Sequence, residues 1–444
     1  MRKTKVFVGM SGGVDSSVAA MLLVEQGFEV VGVYMKNWSE DLPGMKCPWA
    51  EDLADAKRVA VKLGIDFEVW DFEQAYREKV VEYMLAEFRK GNTPNPDVMC
   101  NQEIKFKLFY EKAMAAGADF IATGHYARVG DMLQRRRVRS AAARGKAPAT
   151  HGDGLAGRAP ERSISPDLTR VSPVSRPAPS RPSSRGSVAL KLPVGRNGLE
   201  TGKTLARSID ENKDQTYFLY RISDEALNHT IFPIGEMKKP EVKKLAEEKG
   251  LHNAYKKESM GVCFVGEVGM KDFLKEYIDA EPGEIREIES EKVLGYHEGA
   301  IFYTIGQRHG LYLSGVAGEV NDGMPYYVVK KDVAKNIVYV SKNLNRKELW
   351  TDRLELRDVF LRAGADSLAS AEQTKPKVSE KVSKNDSEKL KIKVLVRLRH
   401  RAPLIPAKFD GKTIYFEQKV KRPASGQSAV LYAEEICLGG GIIK

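Results

Sequence analysis

The run Val6-Phe7-Val8-Gly9-Met10-Ser11-Gly12-Gly13-Val14-Asp15-Ser16-Ser17 decides how this chain is read. Three apolar residues form a short buried strand, glycines and serines make a tight turn, and helical spacing over 16–26 follows until Gly27. A glycine-rich turn between strand and helix lets the backbone approach an anion, and the N–H groups at the helix start point toward it. Ser11, Ser16 and Ser17 add hydroxyl donors, and Asp15 is placed to hold a metal near phosphates. The loop lacks the lysine of a Walker A motif and does not match GxGxxG. A decoy at Gly202-Lys203-Thr204 fails because Asn197 stands where the first glycine belongs.

Working outward, strands predicted over 30–35, 65–70 and 120–123 alternate with helices over 51–63, 72–90 and 103–116. That alternation predicts parallel pairing through right-handed crossovers, hence an α/β, doubly wound sheet. Helical patterns resume over 214–222 and over 240–249, the latter with Pro240 in its first turn. Beyond residue 266 the texture changes. One helix over 271–277 precedes short strands predicted over 293–297, 300–305, 326–330 and 337–340, and the tail over 390–443 reads as a small β-barrel. The predicted division is 1–127 with 205–262 for the nucleotide-binding domain, 263–345 for a central mostly-β domain, and 346–444 for the barrel, with a polar loop over 366–388.

The 444 residues carry 71 Lys+Arg against 60 Asp+Glu, a net charge of +11. Residues 128–208 hold 17 Lys+Arg and 5 Asp+Glu, a net of +12, leaving −1 for everything else. Residues 140–187 contain seven prolines and no aromatic residue, so they cannot bury enough apolar surface to offset ordering entropy. Residues 130–204 therefore read as a low-complexity basic insertion, and the global charge is no argument for nucleic-acid binding. The start of the chain is basic but has no signal-peptide core, and no apolar run approaches the ~20 residues that span a bilayer. A cytoplasmic protein with no membrane partner is expected. Cys47, Cys100, Cys263 and Cys437 lie far apart with no CxxC pair, which excludes a disulfide scaffold and a sequence-readable metal site.

The second informative run is Thr93-Pro94-Asn95-Pro96-Asp97-Val98-Met99-Cys100-Asn101-Gln102-Glu103-Ile104-Lys105-Phe106. Two prolines stiffen the entry, and Cys100 is expected where the next helix begins. A helix start with Lys105 and Lys107 nearby biases a thiol toward thiolate, while Asp97 pushes the other way. Asp97 is also placed to accept a proton or orient a substrate. Cys263, in a short apolar run between glycines, reads alone as a core residue. As a pair, the two thiols allow one to carry a sulfane sulfur and the other to resolve it. Cys47 and Cys437 read as structural. Arg397, Arg399 and Arg401 alternate and are expected on one face of a strand, as a basic stripe.

The SGGVDSS loop resembles that of the PP-loop ATP pyrophosphatases, which have a HUP-like fold and adenylate an oxygen of their substrate. Further runs narrow the likeness: residues 35–38, 91–106, 122–126, 212–219, 261–264, 304–308, 426–428 and 437–441 follow in the same order as in the bacterial tRNA-specific 2-thiouridylases, the MnmA type. The resemblance implies ATP against Gly9, Met10, Ser11, Gly12, Gly13, Val14, Asp15, Ser16, Met35 and Gly124, with Mg²⁺ on its phosphates. It implies Cys100 as nucleophile, Cys263 as persulfide carrier, and Asn95, Pro96 and Asp97 against the target base. Contacts to tRNA are implied at His125, Lys213, Asp214, Gln215, Arg399, His400 and Gln427. The implied activity is ATP-dependent formation of 2-thiouridine at the wobble uridine, position 34, by a monomer receiving sulfur from a cysteine desulfurase or relay carrier. Two rival readings are a PP-loop amidating ligase on a small metabolite and a catalytically silent tRNA-binding protein.

Overall fold

The computed structural model describes residues 2–41, 47–131, 203–257, 269–313, 324–363, 365 and 391–444. Cys263, most of the basic insertion and the polar loop over 366–388 lie outside the described residues.

The first layer is a five-stranded parallel sheet of β1 (Lys5–Gly9), β2 (Glu29–Lys36), β3 (Asp66–Asp71), β4 (Phe120–Thr123) and a short β7 (Thr230–Ile231), ordered β3-β2-β1-β4-β7. Strand order reverses at β1, so ligand space opens between the carboxyl ends of β1 and β4. Strands β1, β2 and β4 are buried on both faces, which explains their apolar runs, whereas the edge strand β3 is largely exposed. Phe7, Val31, Val33 and Ile121 pack on one side; Val6, Val8, Val30, Tyr34 and Ala122 pack on the other. Helix α1 (Val14–Glu25) follows the glycine loop, and α2 (Trp49–Leu63) ends at Gly64 in the left-handed conformation.

Two helical runs contain wide π-turns. The run α3 goes from Glu73–Tyr76 through a π-segment, Arg77–Val81, into Glu82–Arg89. The run α4 goes from Pro96–Met99 through a nine-residue π-segment, Cys100–Leu108, into Phe109–Ala115. Inserted π-turns are frequent at functional sites. Here one begins at the cysteine singled out above.

The barrel contains β12 (Trp350–Leu361), β13 (Ile392–Arg397), β14 (Ile405–Phe409), β15 (Thr413–Lys421), β16 (Ser428–Ala433) and β17 (Ile436–Ile443). The order β12-β15-β14-β13-β16-β17 closes through β12–β17 pairing, which removes both sheet edges. The central domain is a four-stranded sheet, β10-β11-β8-β9, of β8 (Gly283–Glu287), β9 (Val293–His297), β10 (Tyr327–Asp332) and β11 (Ile337–Ser341).

Local patterns mislead in three places. The strand expected over 300–305 is a 3₁₀ turn, Ala300–Phe302, followed by a bend at Gly306 with φ 84°. The helix expected over 214–222 shrinks to Thr216–Leu219, because the Asp214 carboxylate accepts the Thr216 N–H and holds the entry as a side-chain turn. The residues flanking the basic insertion do not stay with the nucleotide-binding sheet. Strands β5 (Ala127–Asp131) and β6 (Lys203–Arg207) pair with each other, and β6 joins β17 of the barrel through Ala206 and Ile436.

Candidate active site

The glycine loop lies where β1 meets α1. Gly12 has φ +75°, and a Cβ there would come within 2.3 Å of the Asp52 carbonyl oxygen, so only glycine fits. Ser16 Oγ accepts the Ser11 N–H at 3.2 Å and donates to the Gly13 carbonyl at 3.1 Å, so the serines brace the loop. A Cβ on Gly124 would stand 2.6 Å from Ser16 N, while one on Gly9 would touch Met35 Cε at 2.8 Å. The carboxyl ends of β1, β2 and β4 thus bring Gly9, Met35 and Gly124 together around the start of α1. These positions lie beside Met10 to Ser16, the other residues expected to meet ATP, and a glycine turn with a helix start suits a polyphosphate.

Asp15, expected near the phosphates, is engaged by two protein side chains. Its carboxylate receives Lys239 Nζ at 2.7 and 2.8 Å and the Tyr126 hydroxyl at 2.9 Å. Among the described residues no three His, Cys, Asp or Glu converge as a metal site. Lys239 and Asn253 were not legible in the sequence as part of this site. Asn253 is buried, and its Nδ2 donates to the Gly12 carbonyl at 2.8 Å and to Ser17 Oγ at 2.9 Å.

The second half of the site is the start of α4. Asn95 caps it, with Oδ1 accepting from the N–H of Asp97 at 3.1 Å and of Val98 at 3.4 Å, and Pro96 occupies the first helical position. The helix starts one turn before Cys100 rather than at it. Cys100 is therefore less exposed to the dipole than the sequence suggested, and it is buried at 2 % exposure. Lys107 turns outward to Glu103 at 3.2 Å, whereas Lys105 acts electrostatically on both Asp97 and His125. Burial raises the Asp97 carboxyl above its ordinary value against the opposing charge of Lys105. Such a carboxyl holds its proton to higher pH and is suited to proton exchange with a base.

His125 joins the two halves. It follows Gly124, its Nδ1 lies 2.8 Å from Thr123 Oγ1, and its ring is 5.8 Å from that of Phe106 on α4. Burial, and secondarily Lys105, holds its pKa well below 6.5, so the imidazole is neutral. It can offer stacking or a hydrogen bond, but not positive charge, to a nucleotide.

The expected RNA contacts divide. Arg399 is exposed and Lys213 half-buried. Gln215 Oε1 accepts the Tyr126 N–H at 2.8 Å, and Gln427 Nε2 donates to the Thr93 carbonyl at 2.8 Å. Asp214 is buried at 1 % exposure and paired with Arg397 at 2.5 Å, so its carboxylate joins the barrel to the nucleotide-binding domain. The basic stripe is likewise absent: Arg397 is inside, the strand ends there, and Arg401 has φ 61°. His400 stacks on Phe218 at 4.6 Å, and burial lowers its pKa to about 4. Cys47 and Cys437 are buried thiols outside any disulfide; burial raises the Cys47 pKa and pushes that of Cys437 up to about 11.

Three domain families match along the chain: a tRNA methyl transferase HUP domain over 4–147 and 195–267, a tRNA methyl transferase PRC-barrel domain over 271–342, and an aminomethyltransferase beta-barrel domain over 374–443. A tRNA-specific 2-thiouridylase MnmA of Listeria monocytogenes serotype 4a is 38% identical over 443 residues, covering 99% of this chain and 94% of that protein. The protein of the same name from Idiomarina loihiensis is 38% identical over 447 residues, covering 99% and 96%. Matched along nearly its whole length by these relatives and by three domain families in succession, the chain belongs to the tRNA-specific 2-thiouridylase family.

Proposed function

We propose that the chain is a tRNA-uridine 2-sulfurtransferase that uses ATP to form 2-thiouridine at wobble position 34. The observation that carries this reading is the meeting of the nucleotide loop and the Cys100 helix at Gly124-His125, on one end of one sheet. An amidating ligase has no need of a thiol there, and a silent RNA binder has no need of a phosphate cradle. The methyl transferase wording of two domain families has no counterpart in a site built around phosphate and thiol.

The uridine C2 oxygen attacks the α-phosphate of ATP, and pyrophosphate leaves. The loop N–H groups and the Ser11 and Ser16 hydroxyls hold the phosphates, and Lys239 neutralises Asp15 next to them. Mg²⁺ is brought by the nucleotide. The base is splayed from the anticodon loop and seated by Asn95, Pro96 and Asp97, with His125 beside it. Sulfur arrives as a persulfide on Cys263 from a cysteine desulfurase or relay carrier. If its terminal sulfur attacks C2, AMP departs and Cys100 thiolate then attacks the Cys263 sulfur, releasing the thiocarbonyl and forming a Cys100–Cys263 disulfide. If Cys100 attacks first, the same disulfide forms and hydrosulfide displaces AMP. In either order an external thiol must reduce the pair. Lys213, Gln215, Arg399, His400 and Gln427 contact tRNA, with Asp214 supporting from behind. The enzyme works as a cytoplasmic monomer; among the described residues no helix is long and apolar enough to cross a membrane.

The test is mass spectrometry of tRNA nucleosides after incubation with ATP, Mg²⁺ and a persulfide donor. The expected product is 2-thiouridine, lost on omission of ATP and in C100S and C263S. Full turnover in both cysteine variants would favour a ligase, and no pyrophosphate exchange with tRNA bound would favour a silent binder.

A further inference from the structure

Thr304 belongs to the central domain and opens the run over 304–308. Its N–H donates to Gln307 Oε1 at 3.0 Å, and its carbonyl accepts the Gln307 N–H at 3.0 Å. The carbonyl just before it, that of Tyr303, accepts Lys331 Nζ at 2.8 Å. Both flanks of the residue are thus fixed, and its hydroxyl reaches another domain. Thr304 Oγ1 lies 3.3 Å from Thr93 Oγ1, a hydrogen bond across 211 positions.

Thr93 is a junction of three domains. The barrel takes its backbone: the Thr93 N–H donates to the Ser425 carbonyl at 2.7 Å, and the Thr93 carbonyl accepts Gln427 Nε2 at 2.8 Å. Gly426, between those two barrel residues, has φ +91°, and a Cβ there would come within 3.0 Å of Thr93 N. The central domain takes the side chain through Thr304. It also closes on Gly91, where a Cβ would stand 2.8 Å from Val333 Cγ2.

Little slack separates this junction from the reacting groups. Pro94 has its φ fixed by its ring, and the residue before a proline is confined to extended backbone. Asn95 then caps α4 through the N–H groups of Asp97 and Val98, and Pro96 occupies the first helical position. Asp97 follows at once, and Cys100 lies one turn on. The two barrel bonds use the Thr93 backbone and do not depend on its side chain. Only the bond to Thr304 requires a hydroxyl; packing alone would be served by valine at either position.

We propose that Thr304 is a positioning residue: through the Thr93 hydroxyl, the central domain sets the turn over 94–97, and so Asp97 and Cys100, against the target base. The inference rests on the reading of Asp97 and Cys100 given above. Contact alone does not establish coupling, which needs a measured effect at the far end.

The experiment compares full-length wild type, T304V, T304S, T93V and T93V/T304V in single-turnover thiolation with saturating tRNA, ATP and persulfide donor, at a temperature where each is folded. Thr304→Val keeps the shape and removes the hydroxyl, whereas Thr304→Ser keeps the hydroxyl. The expected result is a rate about three- to tenfold lower in T304V and T93V, the scale of one hydrogen bond, with Kd for tRNA and ATP unchanged. T304S should work near the wild-type rate, and the double variant should fall no further than the slower single one. A second readout needs no turnover. In RNA-free enzyme the buried Cys100 thiol should be alkylated by iodoacetamide faster in T304V than in wild type, because the turn before it is held less firmly. A wild-type rate in T304V, losses that multiply, a loss confined to tRNA affinity, or unaltered alkylation would overturn the proposal. If T304V does not fold, T93V against T93S decides by the same criteria. C100S is run alongside: full turnover in C100S means that the site reading has failed, whereas an inactive C100S with a fully active T304V removes only this inference.

Discussion

Lys239 Nζ lies 2.7 and 2.8 Å from the two carboxylate oxygens of Asp15, although the residues are 224 positions apart. The pair sits in the first turn of α1, where a carboxylate is welcome at the helix N-terminus but repels incoming phosphate. Lys239 neutralises that charge, so the pair presents no net negative charge to an incoming phosphate. K239M should therefore weaken ATP by roughly tenfold, about 1.4 kcal/mol, and D15N/K239M should recover part of the loss. Isothermal titration with a non-hydrolysable ATP analogue checks this, and unchanged affinity in K239M would assign the lysine to packing alone.

Asp214 and Arg397 form a buried ion pair at 0% and 5% side-chain exposure, with Thr216 Oγ1 also donating to the carboxylate at 2.9 Å. Breaking such a pair from one side leaves a charge without its counterion. R397M is expected to lose about 3–5 kcal/mol of stability, and D214N/R397M distinctly less. Urea unfolding measures both; equal losses would mean that the pair itself matters less than the volume of the arginine.

His400 titrates at about 4 in the folded chain, because burial disfavours its charged form. The unfolded chain takes up that proton near 6.5, so between about 6.5 and 4 the unfolded state binds more protons. The sign is therefore a loss of stability as pH falls through that window. His125, held low mainly by burial, acts in the same direction. H400F should flatten part of the acid limb in unfolding curves between pH 7 and 5, and identical slopes would remove His400 as a contributor.

The cysteines should separate by role. Burial raises the Cys47 thiol and takes Cys437 to about 11, so neither supplies thiolate near neutral pH. C47S and C437S are expected to retain thiolation within about twofold of wild type, apart from any stability loss, whereas C100S loses at least a hundredfold. Kinetics of 2-thiouridine formation decide it, and an inactive but folded C437S would contradict the assignment.

Much of the nucleotide half was legible because its signals are local. Val6 to Val8, the glycines and the helical spacing of α1 are contiguous, and the loop geometry follows from them. Gly124 and Met35 came from resemblance, and the structure brings both against the loop. Lys239 and Asn253 were missed because each reaches its partner through tertiary contact, and nothing in its own neighbourhood marks it. The burial and pairing of Asp214 and Arg397 were not legible for the same reason. A charged residue in a polar run reads as surface until the fold shows what covers it. The hairpin Ala127–Asp131 with Lys203–Arg207 pairs across 71 intervening residues, a separation that local periodicity does not bridge.

The central claim is that activation by ATP and sulfur transfer through Cys100 and Cys263 belong to one site, and a single turnover without reductant tests it most directly. Enzyme carrying one persulfide is mixed with ATP and tRNA, quenched with an alkylating agent, digested and mapped by mass spectrometry. The account predicts a Cys100–Cys263 disulfide formed in proportion to 2-thiouridine and only when ATP is present. Stoichiometric 2-thiouridine with Cys100 recovered as the alkylated thiol would contradict it.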